Sequence, residues 1–407
     1  MADSTNVFDA TVTGGVEGAG GAEGAGAEVK NYTSFEDMDL SEDLLRGILS
    51  HGFEKPSAIQ EKAIVPMKEG RDILAQAQSG TGKTGAFVTG ALTKVDPNLK
   101  KVQVLILVHV HELARQIATV ARSIGKVMKI NVLCATGGPP VRDDIKALDA
   151  GAQFVVGTPG RIYDLVNRNA LDRSNINVLI MDEADQMLED LFYKQVMCIL
   201  EKGFPAKTQV ALFSATMPEQ VVAVANKILR DPVRILISPT SVRLEGIQNF
   251  FIPLEKTEYK VDCVLDLYKN LSITQAVIFC NRRQGVEMLG SEMLKYGFPV
   301  TCIHGELEKG DRALRMQEFL QGKTRVMIAT DMLARGIDVQ QVSLVINFDI
   351  PLSRESYIHR TGRAGRFGRK GTTINLILPE EEGTVKDISE HYGISIIPLP
   401  EDIRNIL

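Results

Sequence analysis

Residues 76–84 read Q-A-Q-S-G-T-G-K-T, between a short apolar run at residues 72–75 and a stretch at residues 85–92 that suits a helix. Strand, glycine-bearing loop and helix, in that order, are the setting of a phosphate-binding loop. Gly80 and Gly82 let backbone N–H groups turn inward around an anion, Ser79 and Thr81 lie in the same turn, and the helix N-terminus adds partial positive charge. Lys83 then reaches the β- and γ-phosphates of a nucleotide, and the Thr84 hydroxyl can ligate Mg2+. The glycine that usually opens the pattern is Ala77 here. A tight strand-to-helix connection with no ligand would not need G-K-T after its strand. The loop is therefore read as the anchor of a nucleotide-binding α/β domain.

The chain has 407 residues, more than one ordinary domain holds and suited to two of moderate size. Hydrophobic content of 44% against 24% charged residues suits a soluble globular protein. No apolar run is long enough to span a bilayer, and no basic-then-apolar leader opens the sequence, so no membrane partner is expected. The five cysteines, Cys134, Cys198, Cys263, Cys280 and Cys302, form no C-x-x-C pair and are read as buried free thiols. A net charge of −5 argues against bulk attraction to nucleic acid but leaves room for a local basic groove.

Residues 1–31 are rich in Gly, Ala and Glu and cannot bury enough apolar surface to order themselves, so they are read as a disordered tail. Residues 32–237 form a first unit. It opens on a helix with Ser41 as N-cap, followed by G-F-E-K-P-S-A-I-Q at residues 52–60. Gln60 could read an adenine edge through donor and acceptor, and Phe53 could stack on the base; a proline-led helix start with a core Phe fits the same residues. Apolar runs at residues 102–108, 154–157, 178–181 and 209–213 read as buried parallel strands. They end in polar clusters: T-P-G-R at residues 158–161, D-E-A-D at 182–185 and S-A-T at 214–216. In an open parallel sheet that edge is where ligands bind.

Residues 231–245 lack periodicity, which puts a linker at 238–246. A second unit, residues 247–407, repeats the alternation with strands at 276–280, 300–304, 325–330, 344–348 and 373–378. It has no phosphate loop but carries H-R-T-G-R-A-G-R at residues 359–366. A basic run is usually a solvated face. Here arginines recur every third position among glycines, and Arg is suited to a transferring phosphoryl group. A composite site across a cleft between the units is the expectation.

This ordered set of motifs, with T-D-M-L-A-R-G-I-D at residues 330–338, resembles the DEAD-box RNA-dependent ATPases, in particular their initiation-factor 4A branch. The resemblance covers residues 32–407. It implies two tandem RecA-like parallel-sheet domains that close on ATP, Mg2+ and RNA. It implies that Phe53 and Gln60 hold adenine, that Ser79, Gly80, Thr81, Gly82, Lys83 and Thr84 hold the triphosphate, and that Asp338 meets the ribose. Asp182 would join Thr84 in holding Mg2+. Glu183 would position or deprotonate water, and Arg363 and Arg366 would act as arginine fingers. Asp185, Ser214 and Thr216 would couple this site to RNA, with His359 and Arg360 supporting the contacts between domains. Gly137, Gly138, Thr158, Pro159, Gly160, Arg161, Arg283 and Thr330 would hold the RNA backbone without reading bases.

Three departures from the family pattern stand out. His109-Val110-His111 replaces Pro-Thr-Arg, Lys309 replaces a Gln, and Arg282 replaces a Thr. The first exchanges a permanent charge for imidazoles, which puts RNA grip rather than ATP chemistry in question. A His-x-His metal site would want a third ligand that the sequence does not offer. The resemblance implies an ATP-dependent RNA helicase of translation initiation, cytoplasmic or nuclear, acting as a monomer with a scaffold protein. An RNA clamp with little unwinding, or a DNA-tracking motor on the same domain pair, uses many of the same motifs.

Overall fold

The computed structural model describes residues 32–77, 80–188, 190–237, 247–271, 275–331, 342–364 and 371–400. The expected tail, the expected linker, Ser79, Asp338 and Arg366 lie outside the described residues.

The first sheet holds β1 (Ile73–Gln76), β2 (Val104–Leu107), β3 (Val132–Ala135), β4 (Phe154–Gly157), β5 (Val178–Asp182), β6 (Gln209–Ser214) and β7 (Val233–Leu236), in spatial order β3-β4-β2-β5-β6-β1-β7. The second holds β8 (Ile247–Pro253), β9 (Ala276–Phe279), β10 (Val300–Ile303), β11 (Val326–Ala329), β12 (Leu344–Asn347), β13 (Gly371–Ile377) and β14 (Ile396–Pro398), in order β10-β11-β9-β12-β13-β8-β14. Subtracting seven from each label of the second gives the order of the first. The chain thus builds the RecA-like sheet twice. Every pairing runs parallel.

Strand residues alternate between two cores, as the pleat requires. Ile73, Val104, Ile106, Val156, Ile180 and Phe213 face the helices Glu42–His51, Ala58–Glu69, Lys83–Leu92 and His111–Gly125. Leu74, Leu105, Leu107, Val155, Leu179 and Met181 face the helices Pro159–Asn167 and Glu219–Ile228 on the other side. With helices on both faces, the central strands must be apolar throughout, which is why β2, β4, β5, β9, β11 and β12 are buried along their whole length.

Four strands depart from the sequence reading. β3, β7 and β14 lie at sheet edges and are only partly buried; β7 is broken by Arg234 and β14 is three residues ending in Pro398, while β3 is a short apolar run that the reading passed over. β7 falls inside the stretch read as aperiodic. β8 is internal, but its polar Gln248 and Asn249 hide it. T-P-G-R does more than end a strand. Thr158 takes the N-cap position of a helix and Pro159 its first turn, where a missing N–H costs nothing. Ser41 sits at the N-cap of Glu42–His51 but makes no side-chain cap bond. All five cysteines are free; Cys280 is buried and the other four are half-buried. No described helix is long and apolar enough to cross a membrane.

Candidate active site

β5, β6 and β1 are neighbours, so the segments beyond their C-terminal ends are brought together. Gln76 pairs in register with Ser214, and Asp182 with Phe213. This sets the phosphate loop, D-E-A-D and S-A-T side by side. Gly80 and Gly82 have φ of 82° and 96°, which side chains rarely adopt. Lys83 opens the following helix and is buried, its Nζ 3.3 Å from Glu183 Oε1 and 3.9 Å from Asp182 Oδ1. Glu183 has φ of 53°, a strained value for a non-glycine residue that turns the chain sharply at the strand end.

Gln60 braces this loop. It accepts from the Ser57 N–H at 2.9 Å, closing a capping box, and its Nε2 donates to the Gly82 carbonyl at 3.3 Å. A Cβ on Gly85 would come within 2.4 Å of Gln60 Nε2 and 2.8 Å of Phe53 Cε2. Glycine there lets both side chains lie against the loop. Gln60 is therefore a helix-capping residue whose amide also reaches the phosphate loop.

Asp185 is buried and bonded on both oxygens. The Ser214 hydroxyl donates to Oδ1 at 2.7 Å and the Thr216 hydroxyl to Oδ2 at 2.8 Å. His359 of the second unit lies with Nε2 3.2 Å from the same Oδ2, and it too is buried. Arg363, also buried, donates through Nε to the His359 carbonyl at 3.1 Å.

Arg360, expected to support the contacts between domains, makes its own bonds within the second unit. It is fully buried, and its bonds run to Asp331, Asn347, Asn281 and the Asp349 carbonyl, all in the second unit. It packs over the Phe279 ring at 5.4 Å. It fixes the helix Arg354–Thr361 to its own sheet and thereby holds His359 in place.

The charges are tuned by this packing. Burial raises the Asp182 carboxyl to about 7, although Lys83 opposes the rise. Burial would raise Glu183 as well, but Lys83, His359 and His109 together outweigh it and hold Glu183 below the usual carboxylate range. For Asp185 the bonds from His359, Ser214 and Thr216 outweigh burial and hold the group far below that range. Lys83 loses to burial but gains more from Glu183, Asp182 and Asp185, so its ammonium is kept. Three buried carboxylates thus face one buried ammonium, and Glu183 Oε2 has no hydrogen-bond partner among the described residues. This excess of oxygen donors and negative charge, with the half-buried Thr84 hydroxyl next to Lys83, fits a nucleotide carrying Mg2+.

A cleft of about 540 Å³ runs between the units. From the first unit His111, Gly137, Thr158, Gly160 and Arg161 line it, and from the second Leu307 and Arg312. Gly138 continues the loop with φ of 119°, and Pro159 is buried. Arg161 is tied to Asp144 and to the Pro139 carbonyl, so it braces the glycine loop from within. Arg283 and Thr330 are not among the lining residues, and Arg283 is paired with Glu306 and Glu287. Both histidines of the altered motif line the cleft, His111 half-exposed and His109 buried. His109 lies two residues past Leu107, whose register partner Met181 lies two before Glu183.

The sequence reading missed one link. Arg312 Nε lies 3.1 Å from Glu112 Oε1, joining the units at 11% and 9% side-chain exposure. Two hundred residues separate the partners, so no local pattern could have paired them.

Residues 57–224 match the DEAD/DEAH box helicase family, and residues 259–368 match the helicase conserved C-terminal domain. The chain is 49% identical over 374 residues to eukaryotic initiation factor 4A of Caenorhabditis elegans, covering 92% of this chain and 93% of that protein. It is 50% identical over 374 residues to the ATP-dependent RNA helicase eIF4A of Neosartorya fischeri, covering 92% and 94%. Among solved structures it is similar to S. cerevisiae Dbp5 bound to RNA and ADP BeF3, with TM-score 0.84 and 32% identity over 91% of this chain and 96% of that one. The likeness runs through both units and through every motif that meets at the buried carboxylates: the chain belongs to the DEAD/DEAH-box helicase family.

Proposed function

We propose that this chain is an ATP-dependent RNA helicase, an RNA-stimulated ATPase that locally unwinds or remodels RNA in translation initiation. The observation that carries the reading is the 3.2 Å contact of His359 with Asp185, which joins the arginine-bearing end of the second unit to the D-E-A-D carboxylates of the first. The names of the relatives, initiation factor 4A and ATP-dependent RNA helicase, support it. So does the resemblance of both units together to an RNA- and nucleotide-analogue-bound Dbp5.

In this reading residues 32–237 are the ATP-binding domain, 238–246 the linker and 247–407 the second helicase domain. Phe53, Gln60 and Asp338 hold the nucleoside. Ser79, Gly80, Thr81, Gly82, Lys83 and Thr84 hold the phosphates. Mg2+, held by Thr84 and Asp182, supplies neutralising charge at the phosphate oxygens when bound. Glu183 orients the attacking water and takes its proton, and Arg363 and Arg366 place guanidinium charge at the transferring group. Asp185, Ser214, Thr216 and His359 make this site whole only when the units meet, and Arg360 holds His359 for that meeting. RNA backbone lies along Gly137, Gly138, Thr158, Pro159, Gly160 and Arg161, with Arg283 and Thr330 on the second unit. RNA favours the closed arrangement and so raises turnover, a population shift. The chain acts as a monomer with a scaffold protein, in the cytoplasm, with the nucleus as a second location.

The direct test is ATP turnover with and without single-stranded RNA, beside release of a short RNA duplex. RNA stimulation together with duplex release is the expected result. Stimulation equal with DNA, or turnover without duplex release, would defeat it in favour of a DNA motor or a clamp.

The Arg312–Glu112 pair gives a second prediction. Removing one partner strands the other charge at a nearly dry interface, which costs about 3–5 kcal/mol for a buried pair. Glu112→Gln or Arg312→Gln should therefore raise the RNA concentration for half-maximal stimulation by at least about 10-fold, a lower bound set by partial rehydration of the pair. Additive effects in the double variant would show that the two side chains do not act as a pair.

A further inference from the structure

Among the described residues, one group of metal-ligating side chains stands out: Glu183, Asp185 and His359, with ligand atoms all within 4.8 Å of one another. All three are buried. Two belong to the first unit and one to the second. The His359 Nε2 to Asp185 Oδ2 separation is 3.2 Å. Two ligands of a tetrahedral zinc ion, each about 2.0–2.2 Å from the metal, stand about 3.3–3.6 Å apart. The pair is therefore within a few tenths of an ångström of the spacing of two ligands on one ion. Glu183 Oε1 is engaged by Lys83, but its Oε2 is buried with no hydrogen-bond partner among the described residues. The Ser214 and Thr216 hydroxyls hold Asp185 as outer partners orient a metal-binding carboxylate.

We propose that Glu183, Asp185 and His359 form a cation site spanning the two units, suited to a divalent ion that accepts imidazole, such as Zn2+. It is separate from the Mg2+ position at Thr84 and Asp182. Mg2+ prefers oxygen ligands and octahedral geometry, whereas one imidazole with two carboxylates suits Zn2+. The ion takes the place of the His359–Asp185 hydrogen bond, with the imidazole proton carried on Nδ1. Because the ligands meet only when the units are together, the ion stabilises the closed arrangement by mass action. It also takes the free oxygen of Glu183, so turnover stops while the chain stays closed. That last consequence rests on the role given to Glu183 above; binding and closure rest only on the geometry.

The test uses the full chain without nucleotide, titrated with Zn2+ against a chromophoric chelator. One tight site is expected, weakened by at least about 10-fold in His359→Gln and in the isosteric Glu183→Gln. Small-angle scattering should show compaction on adding Zn2+ to the parent chain and none in His359→Gln. With Co2+ as the probe, absorption of a nitrogen–oxygen site is expected. A thiolate charge-transfer band would instead assign the ion to the cysteines and overturn the site, as would unchanged affinity in His359→Gln. Binding and compaction without loss of turnover would uphold the site and refute the role given to Glu183.

Discussion

Glu183→Gln is expected to lower ATP turnover by about 10²–10⁴-fold, the range for loss of a positioned general base, while leaving ATP affinity unchanged. The substitution keeps the shape of the side chain and an oxygen that can accept from Lys83 Nζ, now 3.3 Å away. The phosphate cradle, built from Gly80, Gly82 and Lys83, stays in place. What disappears is the acceptor at Oε2, the one oxygen of the carboxylate with no described partner. Burial would ordinarily favour the protonated carboxyl, which is useless as a base, but Lys83 together with His359 and His109 lowers it below its usual range. Single-turnover hydrolysis beside a nucleotide-binding titration separates the two effects. Turnover at the parent rate would remove Glu183 from the chemistry, and a matching loss of affinity would make it a binding residue instead.

How much of this was legible beforehand depended on burial and on helix geometry. The central strands announce themselves because helices cover both faces and force continuous apolar runs, and the polar clusters that end them mark the site edge. Edge strands such as Val233–Leu236 escape, since one side faces solvent and no run survives. Neighbouring motif residues were harder. His359 and Arg360 are adjacent in sequence, but successive helical residues point about 100° apart. One therefore meets Asp185 across the cleft while the other turns into its own sheet to meet Asp331. The same limit applies to His109 and His111, which both line the cleft but differ in burial, the first buried and the second half-exposed. Contacts such as Glu112 with Arg312 have no local signature at all, because they exist only once two independently patterned units meet.

Arg363 carries the second large effect. It lies two residues past the helix Arg354–Thr361 that carries His359. The chain turns tightly there, with the Arg363 N–H on the Arg360 carbonyl at 3.0 Å and its Nε on the His359 carbonyl. Since His359 reaches Asp185 in the first unit, Arg363 is carried to the same boundary, buried at 4% exposure. A guanidinium held there adds positive charge where three carboxylates otherwise dominate, and it does so only in the closed arrangement. Arg363→Ala, and Arg366→Ala three residues on, should each cut RNA-stimulated hydrolysis by about 10³–10⁵-fold, the worth of an arginine finger. Turnover should fall toward the rate without RNA, with ATP affinity little changed, because the phosphate loop of the first unit, which holds the triphosphate, is untouched. Arg363→Lys should rescue little, since an ammonium keeps the charge but loses the planar fork that contacts two oxygens at once. Stimulated rates with RNA and ATP both saturating discriminate this from a loss of RNA grip. A variant that regains full turnover at high RNA has lost only affinity, and the guanidinium would then belong to the RNA groove rather than to the phosphoryl group.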